Sequence, residues 1–332
     1  MRAAVYRRYG SPEAVVAIEE VAAPVPGDGE VLIRIHAAAV NPLDSHFIAG
    51  RPAIARLAFG LFRPRRTRPG ADAAGIVVAA GAGVTRFRPG DAVFGACPGA
   101  FAELGCAPER ALAAKPEELS FEQAAALPVA GLTALQGLRD HGRLAPGQSV
   151  LITGAAGGIG SFAVQIAKAR GAEVTAVCSA RSLDFVRALG ADRAIDREKE
   201  DFTRSGARWD LIFDLVQSRG FGACRRVLAA DGILVAGGVL SVGPPRLGPM
   251  LRWAGRLLFG LLRSRFGRRK LRTFVAKLNA DDLAELAGLV AGGKVTPAID
   301  RRYRLEQAGA AIRYVQQGRA RGKVIIAIAG ED

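Results

Sequence analysis

The chain has 332 residues, half of them hydrophobic and 23% charged, with 41 glycines and 17 prolines. This is the composition of a globular α/β protein of about two domains, and it excludes global disorder and a small disulfide-stapled scaffold. The net charge of +15 would suggest nucleic acid if it were spread evenly, but it is local: six arginines and no acid lie between Asp44 and Asp72, ten basic residues and no acid lie between Asp231 and Asp281, and the rest is about neutral.

In chain order, apolar or alternating runs at 31–35, 75–78 and 91–94, punctuated by Pro-Gly pairs at 26–27, 69–70 and 89–90, predict a β-rich, partly barrel-like first domain. Ser120 and Gln123 stand at capping-box spacing and predict a helix from Phe121, followed by a second over 131–140. From Ser149 strands and helices alternate: strands over 149–153, 173–178, 211–213 and 233–236, and helices over 158–170 and 182–189, with another between the last two strands. That alternation predicts a doubly wound parallel sheet. The tail reads as a helix over 281–291, a Gly-Gly stop, a helix over 305–317 and a strand over 323–328. The four cysteines (Cys97, Cys106, Cys178, Cys224) form no C-x-x-C pair and read as reduced structural thiols. The N-terminus has no apolar signal core, and no stretch reaches the length of a membrane span, so a soluble cytoplasmic protein is expected.

Val150 to Gly160, V-L-I-T-G-A-A-G-G-I-G, lies where a strand turns into a helix, the context in which a glycine motif is informative. Backbone N–H groups there can face a pyrophosphate. The spacing Ala155-x-Gly157-x-x-Gly160 is the dinucleotide fingerprint with alanine for the first glycine; the string also fits the loop of short-chain dehydrogenases. At the end of the second strand, where Asp or Glu would take the ribose hydroxyl of NAD, this chain has Cys178-Ser179-Ala180-Arg181. With Ser179 and Arg181 able to meet a 2′-phosphate and no carboxylate to repel it, NADPH is the expected cofactor.

The blocks Ala39–Asp44, Pro69–Gly75, Gly90–Gly95, Ala124–Ala134, the glycine loop and Arg321–Val324 together resemble the zinc-free medium-chain dehydrogenase/reductases of the quinone oxidoreductase type, over almost the whole length. The resemblance implies a Rossmann domain at 121–279 and a GroES-like catalytic domain formed by 1–120 and 280–332, with substrate and NADPH meeting between them. It implies hydride transfer to a small hydrophobic quinone or α,β-unsaturated carbonyl, with enoyl-thioester reduction and zinc-free alcohol dehydrogenation as enzyme alternatives, and a homodimer. Zinc-containing relatives place cysteine and histidine where this chain has Asn41 and Ala71, so no metal is expected. Asn41 and Thr133 would border the nicotinamide, and Ala156, Gly157, Gly158, Ile159 and Gly160 would hold the pyrophosphate. Ser179 and Arg181 would meet the 2′-phosphate, Val216 and Gly238 would line the groove, and Gly322 and Lys323 would close over it. Arg197 stands where the family often has a tyrosine near the adenine. His46 falls where some relatives place an active-site tyrosine and is the candidate proton donor, against the plainer reading of a packed histidine.

Both basic windows interleave arginine with large apolar residues such as Leu57, Phe59, Leu61 and Phe62. An amphipathic surface on anionic lipid is one expectation, making the protein membrane-peripheral; a solvated arginine face over a packed stripe is the other. RNA binding by this fold is a third reading, but no nucleic-acid motif accompanies the charge.

Overall fold

A computed structural model of the chain describes residues 1–51, 56–237, 255, 258–260, 262, 264–265 and 267–328. Gly238 and part of the second basic window, including Arg246, Arg252, Arg256 and Arg263, lie outside them. The chain forms two units, one of residues 1–132, 277–293 and 297–332, the other of residues 133–276 and 294–296.

The first unit is built on strands β1 (Arg2–Tyr6), β2 (Val16–Glu20), β3 (Glu30–Val40), β4 (Asp72–Ala80), β5 (Ala92–Ala96), β6 (Leu104–Pro108), β7 (Leu112–Ala114), β14 (Ile299–Arg304) and β15 (Lys323–Ala327). β1 and β2 form a separate antiparallel pair, and the others form one sheet in the order β14-β15-β3-β4-β5-β7, with β6 also on β3. In the first part of β3 the alternation sends Val31, Ile33 and Ile35 into the core, while Ala37–Val40 are buried throughout. Such a run suits a strand covered on both faces. The C-terminal β15 pairs antiparallel with the end of β3, Val324 opposite Val40, which brings Lys323 to the level of Asn41.

The second unit holds β8 (Ser149–Thr153), β9 (Glu173–Cys178), β10 (Arg193–Asp196), β11 (Trp209–Asp214), β12 (Leu228–Ala236) and β13 (Lys270–Thr273), all parallel, in the order β10-β9-β8-β11-β12-β13. This is the strand order of dinucleotide-binding sheets, with the switch point between β8 and β11. The core strands Val150–Ile152 and Leu211–Phe213 are buried on both faces, as their unbroken apolar runs require.

Helix starts follow their caps. Ser120 accepts from the Gln123 N–H at 3.2 Å while the Gln123 side chain accepts from the Ser120 N–H at 3.0 Å. The helix this box starts, Phe121–Ala125, packs on β3 and β4, and 121–132 lie in the first unit, whereas the resemblance implies a Rossmann domain that starts at 121. The second helix begins at Pro128, three residues before the expected start, because proline fits a first helical turn. Residues 294–296 join the second unit through Gln165, whose amide exchanges hydrogen bonds with Thr296 N–H (2.8 Å) and C=O (3.0 Å).

Candidate active site

In the second unit the chain leaves β8 at Thr153, turns through Gly154 and enters the helix Gly158–Ala169. The left-handed residue of the turn is Gly154 (φ +63°), one position before the expected first glycine. Ala155 has an ordinary φ and is fully buried, so alanine there costs no strain. Gly160 cannot be replaced as easily: a Cβ would lie 2.2 Å from the Gly154 carbonyl oxygen. Gly157 occupies the N-cap with no side chain to receive the first N–H groups of the helix. The N–H groups of Gly158, Ile159 and Gly160 are therefore without a side-chain cap, the kind of donor set that fits a pyrophosphate.

Beyond β9, Ser179 is half-buried and Arg181 exposed, with no carboxylate between them. The Arg197 N–H donates to the Cys178 carbonyl at 2.9 Å. A cavity of about 260 Å³ at this edge is lined by Gly154, Cys178, Arg197, Val216 and Arg219, which brings the glycine loop, Arg197 and Val216 together; Ser179 and Arg181 are not among its walls. Three carboxylates also line it: Glu200 and Asp201 are paired with Arg193 (2.7 Å) and Arg219 (3.2 Å), and Glu198 is exposed.

Sequence reading missed the latch across the switch point. Thr153 Oγ1 donates to Asp214 at 2.6 Å and accepts from the Leu215 N–H at 2.9 Å, and Asp214 accepts from the N–H groups of Val216 (3.2 Å) and Gln217 (2.8 Å). Burial pushes the Asp214 carboxyl upward, while the hydroxyl and the N–H donors pull it back. The latch sets the Leu215–Gln217 turn, where Gln217 adopts a positive φ of 55°, and holds Val216 beside Gly154. An acid ending the apolar run L-I-F-D was the available signal.

The first unit holds a buried polar centre. Lys323 Nζ donates to Asn41 Oδ1 at 2.8 Å and stands 3.3 Å from Asp72, and Asn41 Nδ2 donates to Asp72 at 3.0 Å. The other Asp72 oxygen accepts from the Val129 N–H at 3.0 Å. Lys323 is 2% and Asp72 0% exposed. Burial raises the Asp72 carboxyl, opposed by the Lys323 ammonium and the Asn41 amide. Asp44 orders the backbone, accepting from the N–H groups of Asn41 (2.8 Å) and Gly70 (3.1 Å), and burial still holds it up at about 7. Gly322 (φ +86°) turns the chain into β15, and a Cβ there would fall 2.2 Å from the Ala298 carbonyl oxygen.

Asn41 also lines a cavity of about 210 Å³ with Asp44, Tyr6 and Tyr9. His46, half-buried with its pKa lowered by burial, is not among the residues lining that cavity. Thr133, buried, opens the second unit. The other histidines stack on phenylalanines, His36 on Phe121 and His141 on Phe274, each at 4.3 Å. Among the described residues no group of three or more His, Cys, Asp or Glu side chains could hold a metal ion.

Two family models match, one described as alcohol dehydrogenase GroES-like domain over residues 27–117 and one as zinc-binding dehydrogenase over 189–326. The chain is 32% identical over 343 residues to a chloroplast envelope quinone oxidoreductase homolog of Arabidopsis thaliana, covering 98% of each. It is 32% identical over 346 residues to a chloroplastic NADPH-dependent alkenal/one oxidoreductase of the same plant, covering 98% of this chain and 79% of that one. A solved quinone oxidoreductase from Coxiella burnetii matches with a TM-score of 0.83 and 29% identity over 99% of both chains.

Proposed function

Since this chain belongs to the quinone oxidoreductase group of the medium-chain dehydrogenase/reductases, we propose that it is an NADPH-dependent reductase of quinones or α,β-unsaturated carbonyls that works without a metal. The observation that carries the reading is the uncapped glycine loop at the switch point of a parallel sheet, followed at the end of β9 by Ser179 and Arg181 in place of a carboxylate. NADPH, when bound, supplies the hydride. The N–H groups of Gly158, Ile159 and Gly160 hold the pyrophosphate, Val216 borders the groove, and Ser179 and Arg181 receive the 2′-phosphate, with Arg197 at the adenine side. The metal-free part of the reading is supported by Asn41, whose amide is engaged by Lys323 and Asp72.

Paired titrations of NADPH and NADH against wild type and Arg181→Ala test the cofactor. A charge-assisted contact is worth about 1.5 to 3 kcal/mol, so the variant loses roughly ten- to hundredfold in NADPH affinity and little for NADH. Equal affinities in wild type would sink the NADPH assignment, and no binding of either nucleotide would sink the reductase reading. NADPH oxidation with a panel of quinones and enones then ranks the acceptors.

The exposed Leu57, Leu61 and Phe62 stand in an arginine-rich, acid-free window, which supports peripheral attachment to an anionic membrane. Among the described residues no helix is long and apolar enough to cross a membrane. Cosedimentation with phosphatidylserine vesicles at low salt, and release by salt, is the expected result; no binding at low salt removes the idea.

A further inference from the structure

The 210 Å³ cavity of the first unit has walls of aromatic rings and a charge pattern that the reductase reading does not use. Tyr6, Tyr9, Phe47 and Phe59 line it. Three of these rings are held in place: the Tyr9 hydroxyl donates to the Gly60 carbonyl at 2.6 Å beneath the Arg56 guanidinium, and Phe47 meets Phe59 edge-on at 4.9 Å. Tyr6 differs. Its side chain belongs to the core and the residue is 4% exposed, yet its hydroxyl makes no hydrogen bond with a described residue. The hydroxyl is not among the buried unpartnered side-chain atoms of the described residues, so its oxygen is open, and with Tyr6 in the cavity wall it has a donor to offer there. Burial pushes its pKa to about 12, which keeps the proton on at neutral pH.

Charge adds a second requirement. Arg66 and Arg68 line the cavity and form no ion pair or hydrogen bond with a described residue. The carboxylate lining the cavity, Asp44, is committed through both oxygens to the backbone N–H groups of Asn41 and Gly70. An apolar ring site is thus joined to two cations with no internal counter-charge. Size limits the occupant, since a cavity of roughly 150 Å³ holds benzene and this one has space for one substituted ring or a small bicycle.

We propose that this cavity receives the acceptor and selects a small conjugated ring carbonyl bearing an anionic substituent, with the Tyr6 hydroxyl donating to the carbonyl oxygen and Arg66 and Arg68 pairing with the anion. The assignment rests on the reductase reading for what happens to the acceptor, but not for its binding. A long apolar tail remains outside the cavity, and Tyr6, Arg66 and Arg68 are specificity residues for the ring and its charge.

The test compares naphthoquinone with naphthoquinone sulfonate by quenching of intrinsic fluorescence, without reductant, and NADPH is titrated on the same samples. Wild type binds the sulfonate about tenfold or more tightly than the neutral quinone. In the double variant Arg66→Gln/Arg68→Gln that ratio falls toward one, and the NADPH titration reports whether the variant is folded. Tyr6→Phe keeps the packed ring and weakens both quinones by about three- to tenfold. Turnover gives a second readout: the ratio of kcat/KM for the two quinones, variant over wild type, cancels their different reduction potentials and falls with the binding ratio. Equal affinities in wild type, or a preference retained in the double variant, overturns the proposal, and unchanged binding in Tyr6→Phe removes Tyr6 from it. If NADPH binds while the quinone ratio is one, only the cavity assignment fails; if NADPH does not bind, the reductase reading fails whatever the quinones do.

Discussion

The two polar centres of this molecule are built in opposite ways. In the first unit, Asn41, Asp72 and Lys323 satisfy one another: an ammonium, an amide and a carboxylate, all buried, with the remaining Asp72 oxygen held by a backbone N–H. In the second unit the glycine loop is made of backbone, its N-cap carries no side chain, and its donors are left for a ligand. A closed centre contributes structure and resists change, because removing one member strands a charge in low dielectric. An open centre contributes binding, and depends on how near the backbone can come to the ligand.

The largest expected effect comes from breaking the closed centre. Lys323→Met leaves Asp72 without its counter-charge and costs about 3 to 5 kcal/mol in urea unfolding, and Asp72→Asn placed on top recovers a large part of that loss. A loss under about 1 kcal/mol in the single variant would mean that the centre is not closed. The open centre responds differently. Gly160→Ala forces a Cβ against the Gly154 carbonyl, costs about 1 to 3 kcal/mol by overpacking, and abolishes nucleotide binding. Gly157→Ala, whose Cβ would sit 3.3 Å from the same oxygen, is tolerated in unfolding experiments; equal stabilities for the two variants would contradict the packing argument.

Smaller effects sharpen the contrast. Thr153→Val keeps the shape of the latch but removes the donor to Asp214 and the acceptor for Leu215, at roughly 1 to 2 kcal/mol, with weaker NADPH binding because Val216 loses its fixed position. Unaltered thermal unfolding and NADPH titration would show the latch to be idle. Asp44 supplies the smallest signal, a pH slope. Its carboxyl is raised by burial to about 7, so its contribution to stability is complete below the unfolded value and is lost as pH rises through the folded one. Relative to Asp44→Asn, wild type should lose about 1 kcal/mol between pH 6 and pH 7; parallel stability profiles for the two proteins would refute it.

Much of this was legible locally. The capping box at Ser120, the strand runs 149–153 and 173–178, and the glycine loop appear where their patterns put them. β13 and β14 were not legible: Lys270–Thr273 and Ile299–Arg304 are rich in basic residues, and they are strands because each pairs in parallel with a buried neighbour, β12 or β15. His46 illustrates the limit on the site. Its spacing from Asn41 matched an active-site position, but spacing does not say which way a half-buried side chain points, and Tyr6 lines the cavity with Asn41 instead.

By itself the sequence determined the fold class and the glycine loop, because helix caps, alternation and the strand–turn–helix glycines act over a few residues. It also showed the absence of a carboxylate after Cys178, on which the cofactor argument turns. Only the tertiary structure decided that Lys323 meets Asn41 across 282 residues of chain separation, and that Tyr6, Arg66 and Arg68 line one cavity. Those contacts depend on the C-terminal strand pairing with β3 and on which side chains burial brings to one place, and no short-range pattern encodes either.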